Sequence, residues 1–360
     1  MEYRVKDNVR IEVNDEILNF LGTNDNVMLS EISNSDKVYM IYLLKQYYLE
    51  LRKKLGLDGD ITFGLEMEFE EAMITVIEKH LDYFLGNDGW IMVPDGSLSN
   101  GAEINSPVLN DSEKTWIDLS LACNIVNGNA YVMDNTSAHI HIGTQILGNN
   151  PKYWRNFALL WATYENVIFR FLYGEYISPR STIEGYAMPV SSDFISKRDR
   201  IEGRSKMINA SNMFKLFDSG EENVKIRRRK SVNFTNVSKL APYIYNKKYD
   251  MNTVEFRSAN GTFDPIIWQN NVNFLVKLML YCKSDKFNEK EIIRTMNLMI
   301  ANDIPSNLYK YSRIYVEQAI ELADMIFDNN IDKIYFLRQY IKDGQVSSNP
   351  LTKSKQFTRR

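Results

Sequence analysis

The sequence predicts an α+β protein: an antiparallel sheet backed by helices, with one face of the sheet polar. Two observations predict it. Residues 61–69, 137–143 and 253–258 alternate with the period of two that strands require, and each places ionisable side chains opposite bulky apolar ones. Between and after them run segments with the apolar spacing of helices, continuing from Asp264-Pro265 to about residue 342.

Residues 1–55 read as a lead-in that becomes helical over 37–55, after the cap-like Ser35-Asp36. Gly56-Leu57-Asp58-Gly59-Asp60 is turn chemistry and lacks the later ligands of a calcium loop. The main domain is expected over 56–345, opening with the strand 61–69. Residues 70–85 form an amphipathic helix, with Ala72, Val76, Ile77, Leu81 and Phe84 at helical spacing. A hairpin follows, with strands over 90–94 and 102–108 and a turn at Asp95-Gly96-Ser97. Residues 111–132 are helical, 137–143 form the second alternating strand, and 153–173 make a helix so rich in Trp, Phe and Leu that it must be buried. Over 177–220 the prolines and polar residues read as loops around a site. Strands at 231–237 and 253–258 precede the helical remainder, and 346–360 is expected to be a mobile tail.

Composition narrows the function. Of 360 residues 25% are charged and 44% apolar, which fits a folded globular chain and excludes a disordered one. The net charge of −3 provides no global attraction to nucleic acid or anionic lipid, so neither is expected as a partner. Cys123 and Cys282 are too few for a disulfide framework, and a reducing cytoplasm is the expected setting. The charged start MEYRVKDNVRIEV argues against a secretory signal, and no apolar run reaches the roughly 20 residues of a membrane span.

The polar faces carry the chemistry. Period-two alternation sets Glu66 and Glu68 on the face opposite Phe63, Leu65, Met67 and Phe69. His139 and His141 stand opposite Ile140 and Ile142, and Glu255 and Arg257 opposite Val254 and Phe256. Glu103 sits between Ala102 and Ile104. If these strands share one sheet, four carboxylates, two imidazoles and a guanidinium meet on its polar face. Carboxylates so crowded need cations, and hard oxygen donors with a neutral imidazole suit Mg²⁺ or Mn²⁺. Such ions commonly bridge phosphate oxygens, with an arginine to take the charge developing in the transition state. A lone Glu-x-Glu would more simply be the solvated face of an edge strand; the coincidence of three such strands favours the metal site.

Gly64-Leu65-Glu66-Met67-Glu68-Phe69, Asp95-Gly96-Ser97, Glu103-Ile104-Asn105-Ser106-Pro107, His139-Ile140-His141-Ile142-Gly143 and Thr253-Val254-Glu255-Phe256-Arg257, followed by Asn260-Gly261-Thr262, together resemble the amidoligase family. That family belongs with the glutamine synthetase and glutamate–cysteine ligase superfamily of carboxylate–amine ligases. The blocks match in order and spacing over about residues 61–285. The resemblance implies a curved antiparallel sheet of glutamine synthetase-like type, with a concave metal- and ATP-binding face. It implies ATP- and Mg²⁺-dependent formation of an amide or peptide-type bond through an acyl-phosphate, with Mn²⁺ as an alternative ion and small-molecule or peptide carboxylates and amines as substrates. Carried over by motif, Glu66, His139 and Glu255 would hold one metal and Glu68 and Glu103 another, with Asp95 a weaker ligand. His141 would contact nucleotide phosphates, Arg257 would stabilise the transferred phosphoryl group, and Asn233 would bond substrate or nucleotide. Arg180, in the family's arginine-and-tyrosine segment with Tyr186, would lie near substrate. Thr136-Ser137-Ala138 and Ser258-Ala259 depart from the family's usual residues without removing a proposed ligand.

Three other readings stay open on the residues alone: a phosphotransferase of the same superfold, a nucleotide-independent metal hydrolase using His139 and His141, and a non-catalytic nucleotide-binding protein. The basic run Arg227-Arg228-Arg229-Lys230, the charges over 197–204 and His80 read as solvated.

Overall fold

Residues 14–21 are helical; Ser33 then caps the next helix, α1 (Asn34–Gln46), by accepting the backbone N–H of Asp36. The helical pattern predicted to continue to residue 55 stops at Gln46 because tertiary pairing takes over the backbone. Leu49 N–H donates to Val346 O, Ser348 N–H donates to Leu49 O, and Arg52 N–H donates to the Gln269 side chain. The computed structural model describes residues 14–22, 26–148, 150–191, 229–234, 237, 252–305, 307–349 and 351–355.

Among those residues the architecture is α+β around one six-stranded, wholly antiparallel sheet. Its strands are β1 (Phe63–Phe69), β2 (Ile91–Val93), β3 (Ala102–Asn105), β4 (Ser137–Gly143), β5 (Val232–Asn233) and β6 (Thr253–Asn260). They lie in the order β2-β3-β1-β4-β6-β5, so the three strands predicted to carry the chemistry are adjacent at the centre. β2 and β3 form the expected hairpin, shorter than predicted, with Val93 opposite Glu103. Gly101 lets its second strand close on the sheet, since a Cβ there would fall 1.9 Å from the carbonyl oxygen of Phe69. Of the strand predicted over 231–237, Val232 and Asn233 pair with β6, while residues 235 and 236 lie outside the described residues.

Helices cover the apolar face. α2 (Ile74–Leu85) and α3 (Glu113–Asn129) follow β1 and β3, and the Phe63 ring stacks on Trp116 of α3 at 5.4 Å. α4 (Pro151–Leu172) has Pro151 in its first turn, Asn150 as cap and a break in helical geometry at Tyr164; its Trp161 ring lies 5.4 Å from that of Phe256 on β6. α5 (Pro265–Lys283), α6 (Glu289–Ala301), α7 (Val316–Ile326) and α8 (Asn330–Ile341) complete the layer, and α5 is buried along nearly its whole length. Residues 346–349 and 351–355, assigned to the tail on sequence grounds, run against this body. Val132 N–H donates to Lys353 O, Lys355 N–H donates to Val132 O, and Ser347 and Thr352 are buried. No helix among the described residues is long and apolar enough to cross a membrane.

Candidate active site

Strand register decides which side chains meet. Glu66 is paired across to His139 and Glu68 to Glu103, while His141 faces Gly64 on one side and Glu255 on the other. A Cβ at position 64 would sit 3.7 Å from His141 Cβ, an ordinary van der Waals contact. On the opposite face Leu65, Met67, Ile140, Ile142, Val254 and Phe256 are buried against the helices, so the faces separate as the alternation predicts.

Glu66 is the hub. Its Oε2 lies 2.9 Å from His139 Nδ1 and its Oε1 lies 2.8 Å from His141 Nε2, and both histidines are buried. Burial alone would raise the Glu66 pKa, but the two imidazole hydrogen bonds outweigh it and hold this carboxyl well below the usual range. His141 moves the other way: burial opposes its charge, and the bond to Glu66 overcomes that and raises its pKa. Its Nδ1 lies 3.1 Å from Thr253 Oγ1, which fixes the ring plane. His139 Nε2 lies 2.9 Å from Ser137 Oγ, and Glu68 accepts the Ser137 N–H at 2.7 Å.

Two sets of ligand atoms lie within 4.8 Å of one another: Glu66, His139 and Glu255, and Glu68, Glu103 and His139. His139 belongs to both, yet a neutral imidazole has one free lone pair and completes only one at a time. The donors fit hard divalent cations, and the strain among them is visible at Glu103. Burial, then the negative charges of Glu66, Glu68 and Asp95, push its carboxyl up to about 8. A cation among these oxygens would remove that conflict.

A cavity of about 600 Å³ is lined by Glu66, Glu68, Asp95, Glu103 and His139 together with Arg180, Arg229 and Arg257. Arg257 donates to Glu255 through Nη1 and to Tyr186 O through Nε at 3.2 Å, and Asn233 Nδ2 donates to the other Glu255 oxygen at 2.6 Å. Arg180 is buried. Its Nε donates to Thr182 Oγ1 at 3.1 Å and its Nη1 to Ala259 O at 2.7 Å, and burial lowers its pKa to about 10. The register of β6 slips between Phe256 and Ala259, a bulge that turns Ala259 onto the apolar face and Asn260 opposite Ser137. Asn260 then accepts the Arg180 N–H at 2.8 Å.

All the predicted site residues therefore lie on or beside one face, though Glu255, Asn233 and His141 do not line the cavity: Asn233 bonds Glu255, and His141 bonds Glu66. Ser137, Asn135, Thr182 and Arg229 line it without having been predicted. Ser137 shares the period-two face of His139 and was legible on that ground. Arg229, read as part of a solvated run, is drawn to the cavity because its carbonyl accepts the Met188 N–H at 2.9 Å; Lys230 beside it is buried, and Arg227 and Arg228 lie outside the described residues. Glu70, one step further along the same face of β1, accepts both Ser99 N–H and Asn135 Nδ2 at 2.9 Å and so ties the Asp95 loop to the cavity wall.

A family model described as "Putative amidoligase enzyme" matches residues 87–279 of the chain. No curated protein matches it.

Proposed function

The chain belongs to the family described as putative amidoligase enzymes, and on that premise we propose an ATP- and Mg²⁺-dependent carboxylate–amine ligase of glutamine synthetase-like architecture. The observation that carries the proposal is the meeting, on one cavity, of a carboxylate–histidine cluster with metal-ligand spacing and three arginines. A ligase of this kind must hold a polyphosphate against cations while stabilising the phosphoryl group in transit.

Glu66 and Glu255, with His139 when its lone pair turns to them, would hold one metal; Glu68 and Glu103, with Asp95 at the rim, would hold a second. Bound there, the ions would neutralise phosphate oxygens and lower the barrier to attack at the γ-phosphorus. The chain's residues do the rest. Arg257 is aimed by its bonds to Glu255 and Tyr186 O and takes up charge on the transferred group. Asn233 fixes the other Glu255 oxygen. His141, bonded through its two ring nitrogens to Glu66 and Thr253, holds the Glu66 carboxylate in place. Arg180, anchored by Ala259 O and Thr182, faces the carboxylate substrate. The substrate carboxylate oxygen attacks the γ-phosphorus as ADP leaves; the amine nitrogen then attacks the acyl carbon, loses a proton and expels phosphate. Water must be kept from the acyl-phosphate, which the buried setting of this face favours.

The test measures Mg²⁺-dependent ADP and phosphate release across paired carboxylates and amines, with mass spectrometry of the products. A product lighter by one water than the sum of its two partners, formed only when both are present, is expected. A phosphorylated substrate as final product would point to a phosphotransferase, and substrate cleavage without nucleotide to a metal hydrolase; either would overturn the ligase.

A further inference from the structure

Outside the cavity the most heavily bonded buried carboxylate among the described residues is Glu165, on α4 one residue after the helical break at Tyr164. Its side chain belongs to the helical layer, yet it holds the chain beside the arginines of the site. Oε1 accepts Val190 N–H at 2.6 Å, Trp161 Nε1–H at 3.1 Å and Ser231 Oγ–H at 3.5 Å. Oε2 accepts Ser191 N–H at 3.0 Å and Tyr311 O–H at 3.1 Å. The residue is 1% exposed, and among the described residues no lysine or arginine forms an ion pair with it. Every donor is neutral, so what the carboxylate supplies is reach: two oxygens able to accept from several segments at once.

The segments it gathers lead to the cavity. Met188 N–H donates to Arg229 O and Ser231 N–H to Met188 O, joining the two stretches that Glu165 grips. Ser231 O in turn accepts the Arg257 N–H at 2.9 Å, and Arg257 Nε donates to Tyr186 O on the near side of the same junction. Lys230 Nζ donates to Pro189 O, a further tie between the two stretches. Asn233 follows two residues after Ser231 and meets Glu255.

We propose that Glu165 is a positioning residue for the ligase reaction: a buried carboxylate that fixes residues 188–191 and 229–231 to each other and thereby sets Arg229 and Arg257 in the cavity wall and Asn233 against Glu255. This rests on the function proposed above for its catalytic consequence, and on geometry alone for its structural one. Glutamine in its place keeps the volume but offers one acceptor oxygen, and its amide N–H groups would face donors.

The test compares Glu165→Gln with Ile168→Val, a buried change on the same helix, in the full-length chain. Hydrogen exchange is followed at the amides of Met188, Val190, Ser191, Ser231 and Arg257. Glu165→Gln is expected to speed their exchange at least tenfold while amides of β1 and β4 keep their protection; Ile168→Val leaves all of them protected. Mn²⁺ affinity, read by electron paramagnetic resonance, stays unchanged, and turnover at saturating ATP falls about tenfold. Unaltered protection at the five amides overturns the proposal, and so does faster exchange spread evenly over the sheet. If the wild-type chain turns over no ATP, the ligase reading fails, while the exchange pattern still decides whether Glu165 holds the junction.

Discussion

On the acid face of the sheet, Glu103 stands among Glu66, Glu68 and Asp95, and its carboxyl is pushed up to about 8. In the helical layer Arg170, more deeply enclosed, gives Nε to Tyr340 O at 3.0 Å, Nη1 to Ser312 O at 2.5 Å and Nη2 to Ile341 O at 3.2 Å. Both regions bury charge, but Arg170 finds a carbonyl for each of its nitrogens, whereas Glu103 stands among like charges. Arg338 repeats the helical pattern, donating to Tyr47 O, Asp343 O and Gln345 O. Charge at Arg170 therefore stabilises the fold, and charge at Glu103 is held against stability. That is where chemistry requiring cations is expected, because conflicts persist in a fold chiefly where function uses them.

Exchanging the roles of the two regions breaks this comparison most severely. Glu66→Ala, Glu68→Ala and Glu255→Ala should each lower nucleotide turnover at least about 10³-fold while the chain still melts in one cooperative transition. Their strands' apolar faces are untouched. Arg170→Ala should do the opposite, costing about 3 kcal/mol or more of stability. It strands carbonyls at the C-terminal end of α8, where a cation also complements the helix dipole. Denaturant titration beside a turnover assay separates the two. Full activity in two of the three glutamate variants would remove the metal site, and an undiminished midpoint for Arg170→Ala would remove the contrast.

The same contrast explains what the sequence made legible. Period-two alternation is local, so the faces of β1, β4 and β6 could be read and the acid cluster anticipated once the strands were taken as neighbours. Ser137 was equally available from that rule. The bulge after Phe256 was not, because it depends on pairing with β4; plain alternation would send Ala259, not Asn260, to the polar face. Arg229 and Thr182 reach the cavity through loops with no periodicity to read. The helical layer's polar anchors were also hidden: Arg170, Glu165 and Arg338 find partners 142, 146 and 291 residues away. Helix α1 ended nine residues early for a similar reason, since Leu49 pairs with a segment at the far end of the chain.

A smaller effect concerns the arginines of the cavity. Arg257→Lys should lower turnover about 10²-fold with little change in ATP binding measured by calorimetry. A lysine keeps the charge but not the fork that contacts Glu255 and Tyr186 O together. Turnover within twofold of the parent would make Arg257 a structural tie to Glu255 and would move phosphoryl stabilisation to Arg180 or Arg229.

The smallest effect concerns pH and tests the conflict at Glu103 itself. Its carboxyl binds a proton more tightly in the folded chain, with a pKa of about 8 against an ordinary 4.5, than in the unfolded one. The stability this contributes is full below about pH 4.5 and is lost as pH rises toward 8, with a slope of at most about 1.4 kcal/mol per pH unit from this group. Glu103→Gln cannot ionise, so in chelator-treated protein its stability relative to the parent should climb steadily from pH 5 to 8. Adding Mg²⁺ should reverse the ranking at the upper end of that range, because the parent then stabilises itself by binding the ion and the variant has lost a ligand oxygen. Urea midpoints of both proteins at several pH values, with and without Mg²⁺, read this directly. Parallel pH curves in chelator would mean that the neighbouring carboxylates do not press on Glu103. The sheet face would then be a solvated acidic surface of the ordinary kind, and its difference from the helical layer would be one of exposure rather than of stored electrostatic conflict.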